Sequence, residues 1–352
     1  MYYFCVVKIH EIYIKRCIQL AKNGLGTTYP NPLVGCVIVH EDKIIGEGWH
    51  RKAGEPHAEV HAIQSVTDKS LLSKATIYVS LEPCSFFGKT PPCCDLIIKH
   101  NIPKVVIGSI DPNKKVCGTG IKRLRDNGAE VIVGVLEKEC KELNKRFFTY
   151  HNKQRPYIIL KWAESQDGFI APFSKDKKEP IWISNRYSRQ LVHKWRSEEQ
   201  AILVGTQTVL TDNPKLDTRD WNGQNPLRII FDRNGKITKD YHVKDNKTKT
   251  VIMTEQENLN SDENLIFESV IFDKQLSKNC LAILHKYGIQ SLIIEGGRYT
   301  LQTFIDDNLW DEARVFKGNK SIKEGVKAPI LREISKTNNI QDDKLNYFLN
   351  HD

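Results

Sequence analysis

Apolar side chains recur at helical spacing from about Ile9 to Asn23 (Ile12, Ile14, Cys17, Ile18, Leu20, Ala21) and end at Gly24-Leu25-Gly26, which predicts a helix with a glycine stop. After the Pro30-Asn31-Pro32 turn, a β-branched run from Leu33 to His40 and its return from Lys43 to Gly48 read as a hairpin across Glu41-Asp42. Pro56 then opens a short helix that carries His57 and Glu59, since proline suits a first helical position. Thr76 to Leu81 predicts a buried strand, Thr90-Pro91-Pro92 the start of a helix to about Lys99, Val105 to Ser109 a strand, Gly120 to Asn127 a helix and Val131 to Gly134 a strand. Such alternation predicts an α/β layer around a mostly parallel sheet.

The charged stretch Glu139 to Gln154 reads as a helix leading into a linker, and the pattern restarts near Arg155. Strands are predicted at Tyr157 to Trp162, Ala201 to Val204, Leu227 to Phe231, Thr250 to Met253 and Ser291 to Ile294, with helices at Arg186 to Ser197 and Leu301 to Asp307. With 352 residues the chain exceeds the size at which one core stops growing. Two α/β domains, 1–150 and 151–352, are expected.

Composition narrows the class. Hydrophobic residues make up 40% and charged residues 27%, as in folded globular chains. No apolar run is long enough to span a bilayer, and the apolar opening Met1 to Val7 is too short for a signal-peptide core. The nine cysteines are odd in number and spread over a long chain, which argues for reduced thiols with a few metal ligands among them. A cytoplasmic protein with no membrane partner is expected. The net charge of +9 is scattered among acids rather than blocked, so it fits a phosphorylated small molecule as readily as nucleic acid.

One constellation carries chemistry. His57-Ala58-Glu59 is followed by Glu82-Pro83-Cys84 and by Pro91-Pro92-Cys93. One imidazole and two thiols are zinc donors, and three protein ligands leave a fourth position for water, as in a catalytic rather than a structural site. Glu59 beside that water has the chemistry of a proton carrier in zinc-dependent base deamination. Taken singly, the cysteines read as ordinary buried thiols and His57 as a satisfied core histidine; the set with Glu59 does not. Cys94 competes with Cys93, but neighbours on a helix do not share a face. His61 lies four residues after His57 and could face the same way, though with three donors assigned it reads as a helix-surface residue.

Pro30 to Cys36, Gly48-Trp49-His50, Gly54 to Glu59, Leu81 to Ser85, Gly88 to Cys93 and Asp111-Pro112-Asn113 together resemble the deaminase half of the bifunctional riboflavin-biosynthesis deaminase/reductase family. The long interval between Cys84 and Cys93 separates the chain from nucleic-acid and cytidine deaminases, which commonly carry Pro-Cys-x-x-Cys. The likeness implies a cytidine-deaminase-like three-layer domain, with Asn31, His50, Lys89, Asp111 and Asn113 lining a pyrimidine and phosphate pocket. It continues through Arg155-Pro156-Tyr157, Lys161, Ser165 to Gly168, Trp182 to Ser184, His193 to Arg196, Val204 to Pro214, Pro226 to Arg228 and Ile294 to Gly297. That half is similar to the family's reductase, which implies a dihydrofolate-reductase-like domain with NADPH as donor. By position the resemblance places the cofactor near Ala163, Trp182, Thr208, Asp212, Arg233 and Gly297, and the ribosyl-phosphate substrate near Lys161, Pro180, Arg196, Leu216, Arg219 and Glu295.

The resemblance thus implies zinc and NADPH as cofactors, a phosphorylated pyrimidine substrate, no nucleic-acid partner and a homo-oligomer. Two departures stand out: Phe86-Phe87 occupies the place where many members have histidine, and Gln166 replaces the usual leucine before Asp167-Gly168. Two competing readings remain at this level. One is a nucleic-acid deaminase with an accessory domain, which would bind RNA or DNA in a salt-dependent way. The other is a structural zinc module, which would leave Glu59 without a role.

Overall fold

The computed structural model describes residues 2–87, 91–114, 116–175 and 178–350, with side chains from residue 8 onward. The chain divides into two compact units, Met1–Lys153 and Gln154–Asp352.

In the first unit the elements run α1 (Tyr2–Ala21), β1 (Gly35–His40), β2 (Lys43–Trp49), α2 (Ala58–Ser65), β3 (Thr76–Leu81), α3 (Cys93–Lys99), β4 (Lys104–Ser109), α4 (Thr119–Asp126), β5 (Glu130–Val133), α5 (Glu137–Leu143) and α6 (Lys145–Lys153). Among the described residues the strands form one five-stranded sheet in the order β2-β1-β3-β4-β5. It is more mixed than the sequence pattern predicts. The β3/β4 and β4/β5 pairs are parallel, but β1 runs antiparallel to both β2 and β3. A two-residue polar turn can only return the chain antiparallel, whereas the helical crossovers after β3 and β4 keep it parallel.

Strand alternation sends successive side chains to opposite faces. Cys36, Ile38, Ile77, Val79, Val105 and Ile107 bury one face against Ala62 and Ile63 of α2, Ile97 of α3 and Leu124 of α4. Val37, Val39, Tyr78 and Val106 bury the other against Ile14, Cys17 and Leu20 of α1 and Cys140 of α5. The result is three layers. The charged stretch expected as a single helix is two, broken at Asn144. This buried side chain donates to the Leu33 carbonyl and accepts from the Leu33 N–H, both at 2.8 Å, and so ties the break to the entrance of β1.

The second unit contains β6 (Tyr157–Glu164), β7 (Phe169–Pro172), α7 (Arg186–Glu198), β8 (Ala201–Gly205), α8 (Thr206–Asp212), β9 (Leu227–Phe231), β10 (Thr250–Thr254), β11 (Leu265–Ser269), α9 (Leu276–Lys286), β12 (Ser291–Ile294), α10 (Arg298–Asp306), β13 (Glu312–Lys317), β14 (Gly325–Lys327), β15 (Lys336–Ile340) and β16 (Asp343–Leu349). Among the described residues nine strands join in the order β11-β10-β9-β8-β12-β6-β13-β16-β15, and β7 pairs with β14 separately. The sheet is parallel from β11 through β13, and β16 and β15 add an antiparallel edge. Helices cover both faces. Leu281, Leu284 and Phe304 of α9 and α10 pack against Ile158, Leu203, Ile229 and Leu292, while Val192 and Trp195 of α7 pack against Ile159, Ile202, Ile293 and Phe316. Parallel strands covered on both faces read as continuous apolar runs, which is why the central strands were visible in the sequence.

Candidate active sites

In the first unit the metal donors sit outside the carboxyl end of β3, where α/β sheets leave a crevice. His57 is the N-cap of α2 (φ −74°, ψ 170°) rather than a helical residue. His61, four residues on, accompanies it through a backbone hydrogen bond of 3.2 Å but is not among the converging donor atoms. Cys84 follows β3 by three residues, and Cys93 opens α3 with Pro92 as its N-cap.

The donors converge: His57 Nδ1 lies 3.6 Å from Cys84 Sγ and 3.4 Å from Cys93 Sγ, and all three ligand atoms fall within 4.8 Å of one another. Tetrahedral zinc, with bonds of about 2.3 Å to sulfur and about 2.0–2.1 Å to nitrogen, sets donors roughly 3.6 Å apart (N to S) and roughly 3.8 Å apart (S to S). The residues present therefore fit zinc. Cys94 points elsewhere, its thiol donating to the carbonyls of Pro83 and Gly120.

The electrostatics suit a cation. The Cys93 thiol and backbone N–H both face Cys84, and with His57 they hold the Cys84 thiol well below its ordinary pKa despite burial. His57 is raised in turn, chiefly by Cys84. Cys93 is raised, first by the thiolate beside it and then by burial, so the first proton leaves Cys84. A coordinated cation deprotonates a thiol outright. Glu59, in the first turn of α2, is 3% exposed, and burial pushes its carboxyl above the usual range against the pull of His57.

Around the donors, His50 lies ring edge to His57 at 5.2 Å. Its Nδ1 donates to the Pro56 carbonyl at 3.2 Å, which leaves Nε2 to accept from Asn31 Nδ2 at 3.0 Å. Asp111 is buried and accepts the Asn113 N–H at 2.7 Å; burial, with Glu82 nearby, lifts it to about 6. Asn31, His50 and Asp111 are thus ordered side chains of this unit. Lys89, and the Thr90 at which helix α3 was expected to start, lie outside the described residues. Phe86 and Phe87 are solvent-exposed at 46% and 74%.

In the second unit the expected residues fall into two groups at the carboxyl ends of the central strands. Glu295, directly after β12, is clamped by Arg196 through two hydrogen bonds of 3.0 and 2.7 Å and approached by Lys161 Nζ of β6 at 3.5 Å. Burial opposes the Glu295 charge, but Arg196 and Lys161 outweigh it and hold the carboxyl at about 2; burial lowers Lys161. Arg196 also donates to the Asp217 carbonyl at 3.2 Å, so its fork is already engaged within the protein, while Arg219 pairs with Asp217 Oδ1 at 2.6 Å at the surface. Leu216 is buried with φ +54°. Pro180 is half-buried in the segment before α7.

The second group joins Thr208 of α8 to the turn before α10. Gly297 is the N-cap of α10 with φ +66°, and a Cβ there would stand 3.3 Å from Thr208 Oγ1. At Gly296 a Cβ would stand 2.7 Å from Val204 Cβ, so the turn needs both glycines to seat against β8 and α8. Asp212 pairs with Lys175, Arg233 with Glu255 at 2.6 Å, and the Trp182 ring lies under the Arg189 guanidinium at 4.5 Å. Ala163 is half-buried in β6.

Residues that the sequence placed in motifs without a role also organise these sites. His193 Nδ1 donates to the Asp217 carbonyl at 2.8 Å and fixes the loop of Leu216 and Arg219. Glu82 appeared only as a letter of the Glu82-Pro83-Cys84 motif, yet it is 4% exposed and fully hydrogen-bonded. Its place between a strand end and a metal donor was the available signal.

Known proteins match both units. Residues 7–109 match the family model for the cytidine and deoxycytidylate deaminase zinc-binding region, and residues 156–322 match the RibD C-terminal domain. Riboflavin biosynthesis protein RibD of Aquifex aeolicus is 41% identical over 323 residues, covering 91% of this chain and 89% of that protein. The RibD protein of Actinobacillus pleuropneumoniae is 43% identical over 81% of this chain and 77% of its own length. The crystal structure of a diaminohydroxyphosphoribosylaminopyrimidine deaminase/5-amino-6-(5-phosphoribosylamino)uracil reductase from Thermotoga maritima superposes with a TM-score of 0.87 at 36% identity, covering 97% of this chain and 98% of that one. Among the described residues no helix is long and apolar enough to cross a membrane.

Proposed function

The chain belongs to the RibD family of riboflavin-biosynthesis proteins, and from this premise we propose that its deaminase and reductase units catalyse consecutive steps on one phosphorylated pyrimidine. The first converts 2,5-diamino-6-(5-phosphoribosylamino)pyrimidin-4(3H)-one to the uracil by hydrolytic loss of the C2 amine. The second reduces its ribosyl group to ribityl with NADPH. A cytoplasmic homo-oligomer divided near residue 150 completes the reading.

Zinc supplies an activated water and the nicotinamide cofactor supplies a hydride; the remaining steps belong to this chain's residues. His57, Cys84 and Cys93 would hold the metal. Glu59, buried beside them, takes a proton from the attacking water and passes it to the departing ammonia, a role suited to a carboxyl raised by burial. Asn31, His50, Asp111 and Asn113, with Lys89, orient the pyrimidine and its phosphate. In the reductase Gly297, Thr208, Asp212, Arg233, Trp182 and Ala163 seat the cofactor, while Lys161, Glu295, Arg196, Arg219, Leu216 and Pro180 present the ribosyl group. With the cofactor bound, the hydride it would supply is matched by opening of the C1′–O4′ bond and a proton on O4′, and these residues would hold C1′ in place for that exchange. Orientation and exclusion of water are what the protein adds to that step.

The observation that carries the reading is the convergence of three zinc donors beside a buried glutamate in a chain that aligns with RibD proteins along most of its length. Purified protein incubated with the diaminopyrimidinone ribosyl phosphate should release ammonia and then oxidise NADPH, each followed separately. A chelator should stop ammonia release while reduction of the preformed uracil continues. NADPH oxidation without ammonia release from the metal-loaded protein would overturn the first assignment, and indifference to NADPH would overturn the second.

A further inference from the structure

We propose that Glu82 is a positioning residue for the deaminase, one whose carboxylate locks the turn bearing the Cys84 donor to the neighbouring turn bearing Asp111 and Asn113. The two turns leave the carboxyl ends of β3 and β4, parallel neighbours that end in register at Leu81 and Ser109. The Glu82 N–H extends that ladder to the Ser109 carbonyl at 2.9 Å, and its side chain turns inward.

An ionised carboxylate offers about four acceptor positions, and here four backbone N–H groups meet it. Oε2 accepts from Asp111 at 3.3 Å and Gly118 at 3.0 Å; Oε1 accepts from Gly120 at 2.9 Å and Ile121 at 3.3 Å. Among the described residues no Lys or Arg side chain pairs with it, so peptide dipoles at the start of α4 hold the anion. The packing is equally close: a Cβ on Gly120 would stand 2.2 Å from the Pro83 carbonyl oxygen, and the Cys94 thiol bridges that oxygen to the Gly120 carbonyl. The two oxygens divide the labour. Oε1 caps a helix, whereas Oε2 reaches the loop that begins at Asp111. A cap alone would need only the first.

Glu82→Gln tests this arrangement. Its single carbonyl oxygen can accept from only one of the two pairs of N–H groups, and in either orientation its NH2 faces the other pair, donor against donor, so the four-point clamp on the two turns is broken. Resting on the deaminase reading above, the expected result is a KM for the diaminopyrimidinone raised about tenfold, the loss of roughly one charge-assisted hydrogen bond. Its kcat should stay within about twofold, with zinc content and reduction of the preformed uracil unchanged. An unchanged KM, or zinc lost in step with activity, would overturn the proposal.

Amide hydrogen exchange on the unmutated, zinc-loaded protein tests the same tie without a variant. The Asp111, Gly118, Gly120 and Ile121 amides should exchange slowly and together. Fast exchange at Asp111 and Gly118 beside protection at Gly120 and Ile121 would reduce Glu82 to a helix cap. Absence of ammonia release from the unmutated enzyme would instead sink the deaminase reading and leave the exchange result standing.

Discussion

The two units solve the same problem, gathering charged groups at the carboxyl ends of strands, over very different stretches of chain. In the first, His57 and Cys93 meet across 36 residues and a strand and two helix starts place the donors. In the second, Arg196 and Glu295 meet across 99 residues, and Lys161 arrives from a third element. The first site is a set of soft donors whose spacing suits a cation. The second already contains its own counter-ions, two cations around one buried acid. A metal site therefore leaves its mark in local spacing, whereas an internally paired cluster depends on sheet order.

Metal removal should show the contrast most strongly. Cys84→Ser, or exhaustive chelation, is expected to abolish deamination and zinc content together while reduction persists, because structural affinity resides in a few donors; metal analysis and the two separate assays check it. Glu59→Gln should come next, lowering deamination about a thousandfold or more with zinc retained. Near-normal ammonia release from that variant would exclude Glu59 as the proton carrier.

The second unit should respond in stability before chemistry. Glu295→Ala strands Arg196 and Lys161 without their shared partner, and removing one member of a buried ionic group costs about 3–5 kcal/mol. Calorimetry of the variant should show the unit's transition shifted down, with reductase activity lost.

Acid titration of the unmutated protein probes the same cluster. The Glu295 carboxyl is depressed from 4.5 to about 2, so its stabilisation is complete above about pH 4.5 and fades as pH falls toward 2. Taken alone this is on the order of 3 kcal/mol; a flat stability profile across that window would contradict the arrangement. The mildest change is Gly297→Ala, which puts a Cβ on a φ of +66° close to Thr208 and should cost about 1–2 kcal/mol, read as a higher KM for NADPH.

The fold was legible where burial is two-sided. The central strands β6, β8, β9, β10 and β12 are apolar runs, and the sequence pattern finds each. It passes over β13, β15 and β16, since Glu312-Ala313-Arg314 and Lys336 to Asn339 look solvated. In β13 the charges are buried by pairing: Arg314 Nε donates to Glu312 at 2.7 Å and its guanidinium lies 4.6 Å over Trp195. Hydrophobic periodicity has no term for a charge that is buried because it is paired. The same limit hid Glu82, whose four partners are backbone amides, a kind of partner that no residue letter records.

By itself the sequence determined the identity and order of the three candidate metal donors and the central buried strands, because these follow from side-chain chemistry and short-range spacing. The tertiary structure decided that His57 caps its helix rather than joining it, that β1 runs against both its neighbours, and that Arg196 is spent on Glu295. Those outcomes depend on which strand ends become neighbours. Chain separation says little about that, since a hydrogen bond depends on distance in space and not on distance along the polypeptide.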